Sequence, residues 1–239
     1  METVDENEGP VSAGLGGACV ELDAAALAGL KKMPVDVFDD VYLGEVKPDA
    51  LVLCVDVRNF SDFLCSHDES TVFGLIKDFT SNLLSCVNQF GFGCSYYKLM
   101  GDGALVIWDQ ADEASIPEAL AVFDTYTEFV DEELFKPFPA LGLAGALVVD
   151  KVYKYEISAE ASQLKYRDYV GYGINLACRL QALARRNELV LNERLYARGL
   201  VPARGDASPS LVDELRGLKG LKDEDRERVL YYTRARGGL

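Results

Sequence analysis

The first half of the chain contains two kinds of hydrophobic pattern. Residues 51–57, LVLCVDV, form an apolar run with one aspartate near its end, which predicts a buried central strand with Asp56 at its carboxyl end. From Phe60 to Gly91 the apolar residues recur at helical spacing, which predicts a long helix with room for a break at the polar segment SHDES. The runs CSYYKLM and ALVIWD then predict a hairpin across GDG, because aspartate followed by glycine favours a tight turn.

The second half of the chain predicts further helices and strands. Helical periodicity covers DEASIPEALAVFDTYTEFVDEEL and YGINLACRLQALARRN, and ERLYARG fits one or two helical turns. Apolar runs predict strands at LGLAGALVVD, ELVLN and RVLYYTR, while KVYKYEI fits either a strand or a loop. The order β-α-β-β-α-β-(β)-α-β-(α)-β predicts an α+β fold in which helices pack on a mainly antiparallel sheet.

The first 47 residues differ in composition from the rest of the chain. Residues 1–18 are acidic and rich in small side chains, which is typical of a flexible tail. Residues 20–49 contain a short helical pattern, ELDAAALAGLKKM, and lead into the domain as an arm. We therefore divide the chain into a flexible acidic tail and arm at 1–47 and one domain at 48–239.

The overall composition narrows the classes of function. The chain has 239 residues and a formal net charge of −15, which argues against a general nucleic-acid binder, because such proteins present a basic surface to phosphates. Nucleotide binding stays open, because a bound metal ion can reverse the local field. No apolar run approaches the length of a membrane span, and no secretory signal pattern opens the chain.

Cysteine and histidine usage restricts the chemistry. None of the six cysteines forms a C-x-x-C pair, and several lie in apolar runs, which predicts reduced core thiols in a cytosolic, cytoplasmic protein. The single histidine, His67, lies in a polar segment and argues against Ser-His-Asp triads, Cys-His dyads and multi-histidine zinc sites. The chemistry is therefore expected to depend on carboxylates, lysine, arginine and a metal ion.

Two aspartates are candidates for a metal site. Asp56 ends the first strand and Asp102 lies at the tip of the hairpin, so adjacent strands would bring both carboxylates to one edge of the sheet. Such a pair with a backbone carbonyl suits Mg²⁺ or Mn²⁺, and two ions about 4 Å apart can bind a triphosphate and activate a hydroxyl. Taken alone, each aspartate also has a structural explanation, since Asp-Gly favours turns and Asp56 could cap the following helix.

Two further segments carry polar groups suited to a nucleotide. In RDYVGYGINLACRL, Asn175 and Arg179 are four residues apart and share one helix face, with Asp168 just ahead of the helix. An amide and a guanidinium on one face suit a sugar edge and a phosphate. In RGLKGLKD, Lys219 and Lys222 lie in a glycine-containing loop that suits phosphate binding. Each segment alone also fits a surface salt bridge or a solvated basic turn.

In combination and order, these segments resemble the catalytic domain of class III nucleotide cyclases. The family pattern has a D-[IV]-x-x-F element, a K-x-x-G-D element, a D-x-x-G-x-x-[VI]-N-x-A-x-R element and a late lysine. The chain matches them with VDVRNF, KLMGDG, DYVGYGINLACR and LKG, over roughly residues 48–235. The resemblance implies a ferredoxin-like βαββαβ core, with residues 48–239 as a cyclase catalytic domain. One departure is Asn59, at a position where glycine is usual.

The resemblance also implies roles for the metal and phosphate residues. Asp56 and Asp102 match the two metal-binding aspartates, and the backbone of Val57 is a further expected ligand of two Mg²⁺ or Mn²⁺ ions. Lys219 best matches the lysine that binds the triphosphate, with Lys222 as the second choice. In the implied reaction the ribose 3′-oxygen attacks the α-phosphorus in line, and pyrophosphate leaves.

The remaining matches concern the base and the ribose. Lys98 and Asp168 match the pair that recognises the edge of the base, and Asn175 and Arg179 match the residues that orient the ribose and stabilise the transition state. Family members work as head-to-tail dimers in which each site combines both chains. Since this chain has both sets of residues, the resemblance implies a homodimer with two sites. The alternative is a non-catalytic nucleotide-binding or dimerisation module, which is expected to lack a metal aspartate or Arg179.

The preferred base is left open by the hydrogen-bond pattern. Lys98 donates and Asp168 accepts, and adenine, cytosine, uracil and guanine can each satisfy that pair. Only the resemblance disfavours guanine, because guanine-specific members of the family have different residues at these positions. Bulky tyrosines near the two motifs could reduce the pocket to the size of a pyrimidine: Tyr96, Tyr97, Tyr169 and Tyr172. Tyr97, directly before Lys98, is our candidate for base recognition. A compact chain of this kind resembles the pyrimidine cyclases of bacterial anti-phage Pycsar systems, so we expect UTP to give cyclic UMP, with ATP or CTP as alternative substrates.

Overall fold

A computed structural model of the chain describes residues 40–159, 164–201, 220–222 and 229–233. In this part of the chain, seven strands form one sheet: β1 (Asp40–Arg58), β2 (Tyr96–Leu99), β3 (Gly103–Trp108), β4 (Gly142–Ala159), β5 (Leu164–Val170), β6 (Glu188–Asn192) and β7 (Val229–Thr233). The helices are α1 (Phe60–Ser66), α2 (Glu69–Phe90), α3 (Ser115–Phe129), α4 (Tyr172–Gln181) and α5 (Glu193–Tyr196), and a π-helical turn at Val130–Leu134 continues α3.

The strand order explains how distant segments meet. The sheet runs β2-β3-β1-β4-β6-β7, and β5 pairs with the outer part of β4. Every neighbouring pair is antiparallel except β4 and β6, which are parallel. The first four strands, in the order β2-β3-β1-β4, with α2 and α3 form a ferredoxin-like βαββαβ unit. The predicted α+β fold with a mainly antiparallel sheet covered by helices is confirmed.

Different helices cover the two faces of the sheet. Residues of β1 alternate between them, because successive side chains of a strand point to opposite faces. Leu51, Leu53 and Val55 join a buried cluster with α2 and α3, whereas Val52 and Cys54 join a cluster with α4. Both faces are therefore buried, which explains why LVLCVDV is continuously apolar rather than alternating.

The break in the long helix and the following hairpin form as the sequence predicts. Helix α1 ends at Ser66 and α2 begins at Glu69, and the Asp68 side chain caps α2 by accepting a hydrogen bond from the Thr71 N–H across 3.1 Å. Strands β2 and β3 pair antiparallel across the GDG turn. The segment KVYKYEI, left open as a strand or a loop, continues β4.

Strand β1 is longer than the predicted strand at 51–57. It begins at Asp40 and pairs with β4 from Asp40, opposite Ser158, to Arg58, opposite Gly142. The boundary drawn at residue 48 therefore falls inside a strand, and residues 40–47 belong to the sheet. Residues 1–39 lie outside the described part, so the division into tail, arm and domain stays a prediction.

Two boundaries in the second half differ from the sequence pattern. Residues 164–170 form the strand β5, so Asp168 lies on a strand rather than in a loop. The signal was weak because the adjacent charges of Arg167 and Asp168 interrupt the alternation that would mark LKYRDYV as a strand. Helix α4 ends at Gln181, six residues before the end of its periodic pattern, and the Arg58 guanidinium donates to the carbonyls of Gln181, Ala182 and Ala184 at that end.

The cysteine prediction holds in part. The five described cysteines are free thiols, and Cys19 lies outside the described residues. Cys54 and Cys86 are buried as predicted, whereas Cys65 is exposed because it lies on the outer side of the short helix α1. Among the described helices, none has an apolar stretch of sufficient length to cross a membrane.

Candidate active site

The ends of β1 and of the hairpin are joined directly. In the β1–β3 register Asp56 lies opposite Gly103, and the Val57 N–H donates a hydrogen bond to the Asp102 carbonyl across 3.1 Å. The predicted neighbours, Asp56 and Asp102, are therefore brought to one end of two adjacent strands. The order of the strands in the sequence predicts that Asp56 and Asp102 are neighbours, and the register of β1 with β3 gives the contact itself.

The two glycines of GDG have separate structural reasons. Gly101 has a φ of +77°, a left-handed conformation that side chains rarely adopt. At Gly103 a Cβ atom would lie 2.7 Å from the Val55 carbonyl oxygen and 3.0 Å from Oδ1 of Asp56. The second glycine thus allows β3 to approach β1 at the level of the Asp56 carboxylate.

The electrostatics of the two aspartates favour a bound cation. Burial and the nearby Asp102 carboxylate raise the pKa of Asp56, against the opposing effects of Arg58 and of a hydrogen bond from Gln181. Burial also raises the pKa of Asp102, and no side chain in the described residues donates to its carboxylate. Ionising two partly buried carboxylates with little compensating charge costs free energy, and a bound cation would offset that cost.

The donor set suits Mg²⁺ or Mn²⁺. Both ions prefer oxygen ligands, which two carboxylates and a neighbouring backbone carbonyl supply. The described residues contain no group of three or more His, Cys, Asp or Glu side chains that could hold a metal ion. Asp56, Asp102 and the backbone of Val57 are the groups that could hold such ions.

An apolar depression beside Asp102 explains the burial of its carboxylate. Apart from Asp102 its lining is hydrophobic: Val57, Phe60, Leu75, Ile76, Phe79 and Phe135. Hydrophobic walls disfavour the ionised carboxylate, which agrees with the raised pKa of Asp102.

The unusual residue Asn59 takes a glycine-like conformation. It is the N-cap of α1, with φ of 62° and ψ of 20°, in the left-handed region that asparagine tolerates better than most residues. Its side-chain amide donates to the Ala140 carbonyl across 2.7 Å. The departure from glycine therefore leaves the turn after Asp56 intact, and it adds a hydrogen bond.

Gln181 is a site residue that the sequence analysis missed. Its side-chain amide donates to Oδ2 of Asp56 across 3.3 Å, although the two residues are 125 positions apart. The sequence did contain a sign of this role. Gln181 lies four residues after Ala177 on α4, so its amide falls on the apolar face of an amphipathic helix. A buried amide needs a partner, and here that partner is the Asp56 carboxylate.

Lys98 and Asp168, the two residues predicted to recognise the base, form a direct ion pair. The Lys98 Nζ lies 2.7 Å from Oδ2 of Asp168, because β5 places Asp168 beside the hairpin. Two tyrosine hydroxyls donate to the same carboxylate, Tyr96 at 2.7 Å and Tyr166 at 2.6 Å. Burial alone would raise the pKa of Asp168, but hydrogen bonds from Lys98, Tyr166 and Tyr96 together lower it to about 2.

The tyrosines divide between the two faces of β2. Tyr96 lies on the same face as Lys98, whereas Tyr97 lies on the opposite face with 54% of its surface exposed. The structure therefore does not bring Tyr97 to Asp168, and Tyr96 and Tyr166 occupy that place instead. Tyr169 packs on Tyr96 with ring centroids 5.0 Å apart, and its hydroxyl donates to Asp109.

The ribose and phosphate candidates lie along α4 and the loop beside it. Asn175 is exposed and Arg179 is partly buried on that helix. A Cβ atom at Gly220 would lie 3.3 Å from a terminal guanidinium nitrogen of Arg179, so residues 220–222 run past this side chain. Lys219 lies outside the described residues. The Lys222 N–H donates to the Tyr172 hydroxyl across 2.8 Å, and its Nζ lies 4.3 Å from the centre of that ring.

Solved structures with the same architecture are adenylyl and guanylyl cyclases. The adenylyl cyclase CyaB from P. aeruginosa matches with a TM-score of 0.63 and 15% identity, over 82% of this chain and 100% of that chain. The guanylate cyclase domain of RhGC from Catenaria anguillulae, in complex with GTP, matches with a TM-score of 0.60 and 12% identity, over 79% and 97%. The guanylyl cyclase Cya2 matches with a TM-score of 0.60 and 15% identity, over 79% and 92%.

The chain has the fold of cyclase catalytic domains. The predicted class III cyclase fold is therefore confirmed, and at these identities the likeness concerns the fold alone. The sequence matches no family profile and no curated protein.

In this cyclase fold the hairpin carries two separate groups of residues. Asp102 at its tip adjoins Asp56, while Lys98 on β2 pairs with Asp168. Within the described residues no hydrogen bond or ion pair joins the Asp56–Asp102 group to the Lys98–Asp168 group. One chain therefore holds the two groups as distinct units.

Proposed function

We propose that the chain is a nucleotide cyclase that converts a nucleoside triphosphate, with UTP preferred, to the 3′,5′-cyclic monophosphate and pyrophosphate. The observation that carries the proposal is the hydrogen bond from the Val57 N–H to the Asp102 carbonyl, at 3.1 Å. It holds two aspartates of raised pKa at one end of the sheet, in a fold otherwise found in adenylyl and guanylyl cyclases.

The residues around Asp56 would prepare the substrate for an intramolecular reaction. Asp56, Asp102 and the backbone of Val57 would hold two Mg²⁺ or Mn²⁺ ions. When bound, the ions lower the pKa of the ribose 3′-hydroxyl and neutralise charge on the phosphates. The 3′-oxygen loses its proton to solvent and forms a bond to the α-phosphorus. The bond from that phosphorus to the bridging oxygen of the β-phosphate breaks, and pyrophosphate leaves.

Residues on α4 and the loop at 220–222 would act on the ribose and the phosphates. Asn175, exposed on the first turns of α4, would donate to the ribose and fix its orientation. Arg179 is partly buried and lies one turn after Asn175, so it would stabilise the negative charge that develops on the phosphates. Lys219 or Lys222 would bind the β- and γ-phosphates, and the position of 220–222 beside Arg179 supports this assignment.

Two composite sites in a homodimer fit the separation of the two groups. Each site would take Asp56 and Asp102 from one chain and Lys98 and Asp168 from the other. Exposed apolar side chains on the hairpin support an interface there, with 54% exposure at Tyr97, 38% at Leu99 and 40% at Met100. A guanylyl cyclase domain from Blastocladiella emersonii with this fold is described as a non-canonical dimer.

A pyrimidine base fits the crowding around Asp168. Tyr96 and Tyr166 bring two aromatic rings to the carboxylate, and Tyr169 packs behind Tyr96. These rings reduce the space beside Lys98 and Asp168, which supports a pyrimidine over a purine. The product would then be cyclic UMP, and the resemblance to Pycsar cyclases makes a signal for anti-phage defence the proposed role.

The proposal is tested by turnover. Purified protein is incubated with each of the four nucleoside triphosphates and Mn²⁺, and the products are separated by chromatography and identified by mass. We expect cyclic UMP from UTP at the highest rate, and no product from Asp56→Ala, whose fold is checked by circular dichroism. Absence of a cyclic product with every substrate would contradict the cyclase proposal. Preference for ATP would contradict only the choice of UTP.

A further inference from the structure

The acceptor capacity of the Asp168 carboxylate is fully used within the chain. Its Oδ1 accepts from the Tyr96 hydroxyl at 2.7 Å and from the Tyr169 N–H at 2.8 Å. Its Oδ2 accepts from Lys98 Nζ at 2.7 Å and from the Tyr166 hydroxyl at 2.6 Å. An ionised carboxylate has about four lone-pair sites, so four donors leave none for a ligand.

The exposure of these groups decides which of them a base can contact. The Asp168 side chain is 9% exposed, whereas Lys98 is 43% exposed at its side chain. Tyr166 is also exposed, at 47% of its surface. A base that enters here therefore contacts Lys98 and Tyr166 before it can reach the carboxylate.

The groups that a base can reach here include a charged hydrogen-bond donor, Lys98, but only weak acceptors. Of the three N–H groups of Lys98, one is used on Asp168 and one contacts the Tyr166 hydroxyl, which leaves one to donate. The hydroxyl hydrogens of Tyr96 and Tyr166 are used on Asp168, so only phenolic oxygens remain as acceptors, and these accept far more weakly than a carboxylate. A base with carbonyl oxygens is matched to such a surface, and a base that must place an amino group on a strong acceptor is not.

We propose that Tyr96 and Tyr166 determine the preference for a carbonyl-bearing base by occupying Asp168, so that Lys98 recognises a base carbonyl and no carboxylate lone pair is left for an amino group. The inference rests on the proposed function and deepens it. Uracil offers two carbonyl oxygens and no amino group, whereas cytosine and guanine each combine one carbonyl with an amino group, and adenine has an amino group and no carbonyl. The two tyrosines are specificity-determining residues for the same site.

The charge state of Asp168 supports the arrangement over the working range of pH. Its pKa is lowered to about 2, so the carboxylate is ionised and accepts from all four donors at any pH at which the enzyme is assayed. The Tyr96 and Tyr166 hydroxyls beside the pair stay protonated. Burial, and to a smaller extent the hydrogen bond to Asp168, raises the pKa of Tyr96. The hydrogen bond to Asp168 raises the pKa of Tyr166.

The test removes one hydroxyl at a time. Tyr96→Phe and Tyr166→Phe each free one lone pair of Asp168 while they keep the aromatic ring. We expect kcat/KM for CTP and ATP relative to UTP to rise by about tenfold in each variant, because a hydrogen bond to a charged group becomes available to an amino group. Asp168→Asn, which adds an N–H donor in place of an acceptor, is expected to abolish that gain when it is combined with either variant.

Tyr155→Phe is the matched control. Tyr155 lies opposite Asp168 on β4, with its ring centroid 6.1 Å from that of Tyr166. Its hydroxyl makes no hydrogen bond to Asp168, so the same chemical change in the same neighbourhood is expected to leave the substrate ratios unchanged. A shift in ratios at Tyr155 equal to that at Tyr166 would overturn the proposal, because packing rather than hydrogen bonding would then set the base.

A binding measurement separates this inference from the cyclase proposal. Calorimetric titration with non-hydrolysable uridine and adenosine triphosphate analogues gives their ratio of Kd in the wild type and both variants. A shift of that ratio toward adenosine in Tyr96→Phe and Tyr166→Phe supports the inference, even if no turnover is found. Turnover of UTP with unchanged ratios in both variants overturns the inference and leaves the cyclase proposal intact. Absence of both turnover and binding overturns both.

Discussion

The side-chain amide of Gln181 lies 3.3 Å from Oδ2 of Asp56 and donates a hydrogen bond to it, so helix α4 contacts the carboxylate at the end of β1. The neighbouring Arg58 strengthens the link, since its guanidinium donates to carbonyls at the end of that helix. The helix that carries Asn175 and Arg179 is therefore fixed to the strand that carries Asp56.

Removal of this amide is expected to weaken metal binding. Gln181→Ala leaves Asp56 free to rotate, and loss of a group that orients a metal ligand typically costs 10- to 100-fold in affinity or activity. The affinity for Mn²⁺, measured by titration calorimetry, and kcat should fall together by about that factor. Gln89→Ala, an exposed glutamine on α2, is the control with the same change in side chain. Equal Mn²⁺ affinity in Gln181→Ala and Gln89→Ala would contradict the role of Gln181.

The raised pKa of Asp56 predicts a conflict between stability and metal binding. The native protein without metal holds a proton at Asp56 more tightly than the unfolded chain does, since burial and Asp102 raise the pKa above its ordinary value of 3.8. The stability that this proton contributes is present at low pH and is lost as the pH rises through the raised pKa. Asp56→Asn removes the charge, so its Tm at pH 7.5 in EDTA should exceed that of the wild type.

The same variant should lose the response to metal. Addition of Mn²⁺ at pH 7.5 is expected to raise the Tm of the wild type, because an ion that binds only the native state stabilises it, and to leave Asp56→Asn almost unchanged. Thermal melts at pH 5 and 7.5, with EDTA or with Mn²⁺, measure both effects. A lower Tm for Asp56→Asn than for the wild type in EDTA at pH 7.5 would show that burial of this charge is not costly.

The left-handed conformation of Asn59 predicts which substitutions it tolerates. Asn59→Val places a β-branched side chain at a φ of 62° and should lower the free energy of unfolding by about 1–2 kcal/mol. Asn59→Gly removes only the hydrogen bond to the Ala140 carbonyl, so its cost should stay within about 1 kcal/mol. Urea denaturation of the two variants measures the difference, and equal stability would contradict the backbone argument.

The close approach of β3 to β1 predicts a position-specific effect of alanine. Gly103→Ala places a methyl group 2.7 Å from the Val55 carbonyl oxygen, so the strands must separate, at a cost of about 1–3 kcal/mol. Gly74→Ala, in α2 with no atom within 4 Å of its Cβ, should stabilise the protein by about 0.5–1 kcal/mol. Urea denaturation checks both signs, and a neutral effect at Gly103 would contradict the packing argument.

Local patterns along the chain were sufficient for much of the fold. The run LVLCVDV, the helix that follows it and the GDG hairpin are set by periodicity and turn chemistry, so they were predicted well. The adjacency of Asp56 and Asp102 also followed from strand order, because β1 pairs with the second strand of the hairpin. These features depend on residues close in sequence or on one simple pairing.

Other features depend on pairings that no local pattern encodes. The bond from Gln181 to Asp56 joins residues 125 positions apart, and the contact of Tyr96 with Asp168 joins residues 72 apart. Tyr97 was predicted to lie beside Lys98 and Asp168, but Tyr96 lies there instead. The register of β2 decides between them, because successive residues of a strand lie on opposite faces. The strand β5 was missed because the adjacent charges of Arg167 and Asp168 interrupt its alternation.

The pairing along β4 keeps the strand that carries Asp168 apart from the strands that carry Asp56 and Asp102. One edge of β4 pairs with β1 along its whole length, while β6 and then β5 pair in succession with its other edge, β6 at residues 145–147 and β5 at residues 153–159. Among the described strands, β5 is hydrogen-bonded to β4 alone. Substitutions in residues 164–170 can therefore leave the pairing of β1 with β3 in place, so Asp168 and its neighbours can diverge independently of Asp56 and Asp102.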